Sequence, residues 1–117
     1  MGQRPLEGIK VIEVSMWAFV PSCGAVLSDW GAEVIKIEPP TGDPIRGLNM
    51  GGIAPGTGGF TFMYEIFNRG KRSVAMDLNA DGAAELLYKM VEDCIKKSTQ
   101  YLLFEPNASP LWTMSRP

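Results

Sequence analysis

Asn68-Arg69-Gly70-Lys71-Arg72-Ser73 sets three cations within four positions. That density suits a phosphate, which arginine grips through paired donors and lysine through point charge. A solvated basic turn ahead of a strand accounts for the run equally well. It is not a Walker motif, which needs Gly at 65 and Ser or Thr at 72, where this chain has Glu65 and Arg72. The second candidate is Ser15 to Val20. This stretch follows an expected strand and so stands where open α/β sheets place their ligands. Met16, Trp17 and Phe19 would serve there equally well as plain caps on the core. The stretch lacks the glycines of G-x-G-x-x-G, so Glu38, at the end of the second expected strand, does not make a nicotinamide site alone. The chain has no histidine, and its two cysteines lie at positions 23 and 94. Zinc, hydrolase triads and imidazole acid–base chemistry therefore lack their parts. Carboxylates, lysine and tyrosine remain. The 13 acids show no spacing that singles out a pair, and Glu7, Glu33, Glu85, Glu92 and Asp93 read as surface charges.

These residues need a scaffold. Ile9 to Val14 is short, β-branched and preceded by Gly8, which predicts a strand buried on both faces. Pro21 suits a first helical position, and a helix of about three turns follows, closed by Gly31. Glu33 to Glu38 gives a second apolar strand, stopped by Pro39-Pro40. Strands joined through one helix are parallel with a right-handed crossover, so an α/β sheet is expected. Prolines and glycines across 39–59 predict a long surface loop without regular structure. A short aromatic helix is expected at 60–67 and a third strand at Ser73 to Leu78, with Asp77 on the face opposite Val74, Met76 and Leu78. The clearest helix runs from Ala80 to about Ile95, with Ala83, Leu86, Leu87, Met90, Val91 and Cys94 as its apolar stripe and Asn79 as its N-cap. Gln100 to Phe104 has the makings of a fourth strand.

At 117 residues, 45% apolar and 21% charged, the chain has the size and composition of one small globular domain. A net charge of −2 gives no general attraction to nucleic acid or anionic lipid, so neither partner is expected. No apolar run approaches a membrane span, and the start carries no signal peptide. Cys23 and Cys94 fall on the apolar sides of their helices, the usual place for reduced thiols, and a cytoplasmic location is expected.

Four blocks, read together, carry a family resemblance. They are Pro5 to Glu13 (PLEGIKVIE), Leu27 to Glu38 (LSDWGAEVIKIE), Gly42 to Gly47 (GDPIRG) and Asn68 to Leu78 (NRGKRSVAMDL). In order and spacing they resemble the family III CoA-transferases, a group that includes formyl-CoA transferases, carnitine CoA-transferases, bile-acid-inducible proteins and α-methylacyl-CoA racemases. The resemblance implies a Rossmann-like α/β unit with a parallel sheet and a βαβ start, binding the nucleotide end of coenzyme A. It also implies interlocked homodimers in the full-length family, which this chain alone is not expected to form. Carried over by position, Met16, Trp17, Ala18, Phe19, Pro39, Met76 and Asn79 would line the CoA site. Formyl-CoA transferases have Arg where this chain has Pro39 and Lys where it has Asn79, so Arg46 or Arg72 would have to supply phosphate contacts. The family's nucleophilic aspartate, which carries the acyl group and then CoA, lies beyond the matched stretch, as do the racemases' acid–base residues. No catalytic residue and no metal is assigned.

The resemblance ends after Asp93. Residues 1–93 are therefore read as a partial CoA-binding domain and 94–117 as an atypical tail from a truncated or shifted reading frame. The chain is expected to be inactive alone. The alternatives are a fragment of an acyl-CoA racemase, a small non-catalytic CoA- or nucleotide-binding module, and a non-functional fragment with an open sheet edge.

Overall fold

The computed structural model describes residues 4–47, 61–95 and 100–104. Two parallel strands, β1 (Lys10–Val14) and β2 (Glu33–Glu38), pair from Lys10 with Glu33 to Val14 with Ile37, and helix α1 (Phe19–Asp29) joins them. Helix α2 (Phe62–Asn68) leads to β3 (Arg72–Ala75), parallel to β2 with Ile35 opposite Arg72 and Glu38 opposite Ala75. Helix α3 (Ala83–Ile95) then returns the chain to β4 (Gln100–Phe104), which pairs parallel with β1 on its other side. The order β3-β2-β1-β4 is that of the first four strands of a doubly wound dinucleotide fold.

Strand alternation gives each face of the sheet its own core. Ile12, Val14, Ile37 and Met76 point to one side, where Leu87, Met90, Val91 and Cys94 of α3 pack on them. On the other side Val11 and Val34 meet Leu27 of α1 together with Leu6, Ile9 and Ala32. Burial on both faces is what the β-branched runs of β1 and β2 predict. Gly31, at φ 103°, ends α1 in the left-handed conformation that glycine adopts without steric cost.

Several boundaries differ from the sequence reading. Helix α1 starts at Phe19, so Pro21 is its third residue. That position is still tolerated, because the first-turn N–H groups have no intrahelical acceptor. Strand β3 ends at Ala75 rather than Leu78. Asp77 Oδ1 accepts the Asn79 N–H at 3.0 Å and the Asp77 carbonyl accepts the Ala80 N–H, which folds the chain into a turn. The Asn79 N–H is engaged in that turn, and α3 begins only at Ala83, after Gly82 at φ 80°. The loop expected over 39–59 holds one 3-10 turn, Pro44–Gly47, while its residues 48–59 lie outside the described ones. Leu86 faces solvent rather than joining the α3 stripe. Cys23 is exposed, because α1 turns its small residues Gly24 and Ala25 inward instead. Cys94 packs half-buried against the core. Among the described residues no helix is long and apolar enough to cross a membrane.

Candidate functional site

The face of the sheet beneath α1 is apolar at the amino ends of its strands and charged at their carboxyl ends. Beyond Val11 and Val34, the next residues on that face are Glu13 and Lys36, both side chains 0% exposed. Charges this deep are tolerated only when paired. Lys36 Nζ donates to Glu13 Oε1 at 3.2 Å and to the Ser15 carbonyl at 2.9 Å. It also lies 2.9 Å from Asp43 Oδ2. No donor is aligned on that oxygen, so the last contact is charge attraction without a hydrogen bond. A second lysine completes the cluster: Lys71 Nζ donates to Glu13 Oε2 at 2.7 Å, to the Pro21 carbonyl at 2.8 Å and to Asn68 Oδ1 at 3.1 Å. Burial draws the Lys71 ammonium below its ordinary pKa, against the opposing pull of Glu13. Two ammonium groups thus face two carboxylates. Helix α1 crosses directly above, at Gly24, where a Cβ would collide with Glu13 Oε2.

This cluster fixes the turn after β1. Asp43 Oδ1 accepts the Trp17 N–H at 3.1 Å and the Ile45 N–H at 3.0 Å, while Ser15 Oγ donates to Glu13 Oε1 at 2.9 Å. Trp17 is held at φ 67°, a conformation that costs a bulky residue about 1–2 kcal/mol. Such strain persists where the surroundings over-determine it, often at ligand sites.

Glu38, at the carboxyl end of β2, anchors the following loop. Its Oε1 accepts from Arg46 Nη2 at 2.8 Å, Tyr64 Oη at 2.7 Å and Ser73 Oγ at 2.6 Å. Its Oε2 accepts from Arg46 Nε and the Asp43 N–H, each at 2.9 Å. Burial alone would raise the Glu38 pKa, but the hydrogen bonds from Arg46, Ser73, Tyr64 and Asp43 bring it down from 4.5 to about 2. Burial, and then the bond to Glu38, raises the Tyr64 hydroxyl. The Arg46 guanidinium also stacks 3.5 Å from the Tyr64 ring centroid.

A groove of about 310 Å³ opens at the carboxyl ends of β1, β2 and β3. Val14, Met16, Ile37, Pro39, Met76 and Leu78 give its apolar walls, with Ser15, Glu38, Thr41, Asp77 and Asn79 as polar lining. Four of the residues singled out from sequence, Met16, Pro39, Met76 and Asn79, therefore share one groove. Trp17 and Phe19 are not among its lining residues and are 48% and 88% exposed. Ala18 caps α1 and accepts the Ser22 N–H through its carbonyl. Arg46 reaches the groove's edge but is committed to Glu38. Arg72 is not brought there. It opens β3 at the opposite end of the sheet, 73% exposed and bonded through Nη1 to Glu33 Oε1 at 2.7 Å.

The sequence reading missed Glu13, Lys36, Asp43 and Tyr64, and it offered Lys71 as a phosphate cation where the structure buries it against Glu13. A signal for two of them was available: a charge at an inward position of a strand buried on both faces needs a buried partner. Glu13 and Lys36 sit opposite each other in neighbouring strands. Among the described residues no group of three or more cysteines and acids is placed to hold a metal ion.

Residues 6–94 match the family model described as CoA-transferase family III. A curated relative, (R)-2-hydroxy-4-methylpentanoate CoA-transferase of Clostridioides difficile, is 39% identical over 88 residues, covering 75% of this chain and 22% of the relative. Succinyl-CoA–L-malate CoA-transferase alpha subunit of Chloroflexus aurantiacus is 34% identical over 116 residues, 98% of this chain and 26% of its own. The crystal structure of a CAIB/BAIF family protein from Brucella suis superposes with a TM-score of 0.72 at 28% identity, over 98% of this chain and 30% of that one. The chain thus spans about a quarter of the length of the relatives it matches.

Proposed function

The chain belongs to CoA-transferase family III, and from that membership we propose that it supplies part of the CoA-binding half of an enzyme that moves CoA between an acyl-CoA and a carboxylic acid. The observation that carries this reading is the groove at the carboxyl ends of β1, β2 and β3, where Met16, Pro39, Met76 and Asn79 converge. Pockets of this size and apolar character suit a flat ligand group fixed by a few polar contacts. In our reading Met16 and Met76 flank the adenine, Asn79 hydrogen-bonds its edge, and the strained turn at Trp17 together with Ala18 and Phe19 directs the rest of the coenzyme outward.

We assign no catalytic residue within the described chain. Of the two carboxylates that line the groove, Glu38 is tied by five hydrogen bonds. Asp77 lies on a turn whose backbone N–H it already accepts. A nucleophile must be free to leave its partners and meet the thioester carbon. On this reading acyl transfer depends on a carboxylate outside these residues, and the chain alone binds CoA without turning it over. The same reading makes the full-length protein a cytoplasmic homodimer.

Calorimetric titration of CoA into the chain tests this proposal. One saturable site is expected, weakened fivefold or more by Asn79→Ala, with no exchange of CoA onto an added carboxylic acid. Heat of dilution alone would refute it.

A further inference from the structure

Resting on the CoA reading above, we infer that Asp43 is a positioning residue: without touching the ligand, it ties together two turns that wall the groove, and so sets the affinity for CoA.

One of these turns follows β1 and the other follows β2. Ser15 and Met16 line the groove from the first, and Thr41, Gly42 and Pro44 line it from the second. Asp43 stands between two of these lining residues, yet it is buried beneath the wall and does not line the groove itself. Its side chain reaches across to the first turn. Oδ1 accepts the Trp17 N–H at 3.1 Å as well as the Ile45 N–H at 3.0 Å, while Oδ2 lies 2.9 Å from Lys36 Nζ. Lys36 in turn donates to the Ser15 carbonyl at 2.9 Å, which ties the ion pair to the first turn a second time.

This arrangement calls for a carboxylate. Two backbone donors converge on one oxygen and an ammonium faces the other, so both oxygens must be acceptors. Asparagine has nearly the same shape but a single acceptor, and its NH₂ would have to face either Lys36 or the two N–H groups. In either orientation one link is lost. Trp17 is where the loss would show, because a bulky residue keeps its φ of 67° only under constraint. With the turn released, the groove-forming conformation becomes one of several, and affinity falls by the fraction of molecules that hold it.

The test is calorimetric titration of CoA into the wild-type, Asp43→Asn and Lys71→Met chains, with amide exchange followed by NMR, at a temperature where circular dichroism shows each folded. Lys71 belongs to the same buried cluster but bonds to Glu13, Pro21 and Asn68 rather than to either turn. Its loss disturbs the cluster without releasing the turns. Asp43→Asn should weaken CoA binding fivefold or more and speed exchange of the Trp17 amide tenfold or more, whereas Lys71→Met should leave CoA affinity within twofold. Smaller effects in Asp43→Asn, or a larger loss in Lys71→Met, would overturn the inference, while wild-type binding would still uphold the CoA reading. Should Asp43→Asn not fold, the wild type alone decides, because coupling between ligand and turn is reciprocal. Saturating CoA should slow exchange at Ile45, which does not line the groove, at least fivefold more than at Ala32, beside the amino end of β2. A smaller difference would overturn the inference. Absence of CoA binding by the wild type would overturn both readings.

Discussion

Replacing Glu38 by Gln tests whether one carboxylate organises the loop beside the groove. The side chain is 3% exposed and receives five hydrogen bonds, two of them from Arg46. Glutamine removes the charge and turns an NH₂ group toward donors that need acceptors. The fall in pKa from 4.5 to about 2 corresponds to about 3 kcal/mol of stability at neutral pH. The sign follows from the direction of the shift. A carboxyl whose folded pKa is depressed stabilises the fold above its unfolded pKa and loses that contribution as pH falls toward the folded value. The contribution should therefore hold at about 3 kcal/mol down to pH near 4.5 and shrink to about 1.5 kcal/mol by pH 3. Urea unfolding of the wild type and Glu38→Gln from pH 7 to pH 3 reads it directly. The two stability curves should be parallel above pH 5 and converge below it. A gap under 1 kcal/mol at pH 7, or one that stays constant to pH 3, would show that Glu38 is not the ionised anchor described here.

Lys36→Met leaves Glu13 and Asp43 facing each other without the ammonium between them, and should cost about 3–5 kcal/mol in urea unfolding; a loss below 1 kcal/mol would contradict the buried cluster. Gly24→Ala would stabilise an ordinary helix by about 1 kcal/mol. Here the new Cβ meets Glu13 Oε2, so destabilisation by about 1–3 kcal/mol is expected, and a raised melting temperature would refute the close approach. Arg72→Ala removes only an exposed ion pair at the far end of the sheet. It should change stability by less than about 1 kcal/mol and leave CoA affinity within twofold; a tenfold loss would return Arg72 to the site.

Much of the scaffold was legible because it is local or periodic. The runs at Ile9 to Val14 and Glu33 to Glu38 read as strands from their β-branched content, and the boundaries of β2 agree residue for residue. Elements ended early where a side chain competed with the backbone. Asp77 captures the Asn79 N–H and stops β3, a choice that Val74, Met76 and Leu78 alternation does not reveal. Within the site, the groove-lining residues Met16, Pro39, Met76 and Asn79 came from motif position. The charge cluster was missed because its members are separated by 58 positions, from Glu13 to Lys71, and meet only when α1 lies across the sheet. Arg72 shows the converse. It was a candidate because the cations that formyl-CoA transferases carry in place of Pro39 and Asn79 are missing here, but it opens β3, about 13 Å along the chain from Met76.

The central claim is that the carboxyl ends of β1, β2 and β3 bind CoA. It is tested most directly by amide chemical shifts recorded while CoA is titrated into the isotopically labelled chain. Perturbations should cluster at Ser15–Ala18, Thr41–Asp43 and Met76–Asn79, saturating with one dissociation constant. Shifts centred on Arg72 and Glu33, or none at saturating CoA, would contradict the account.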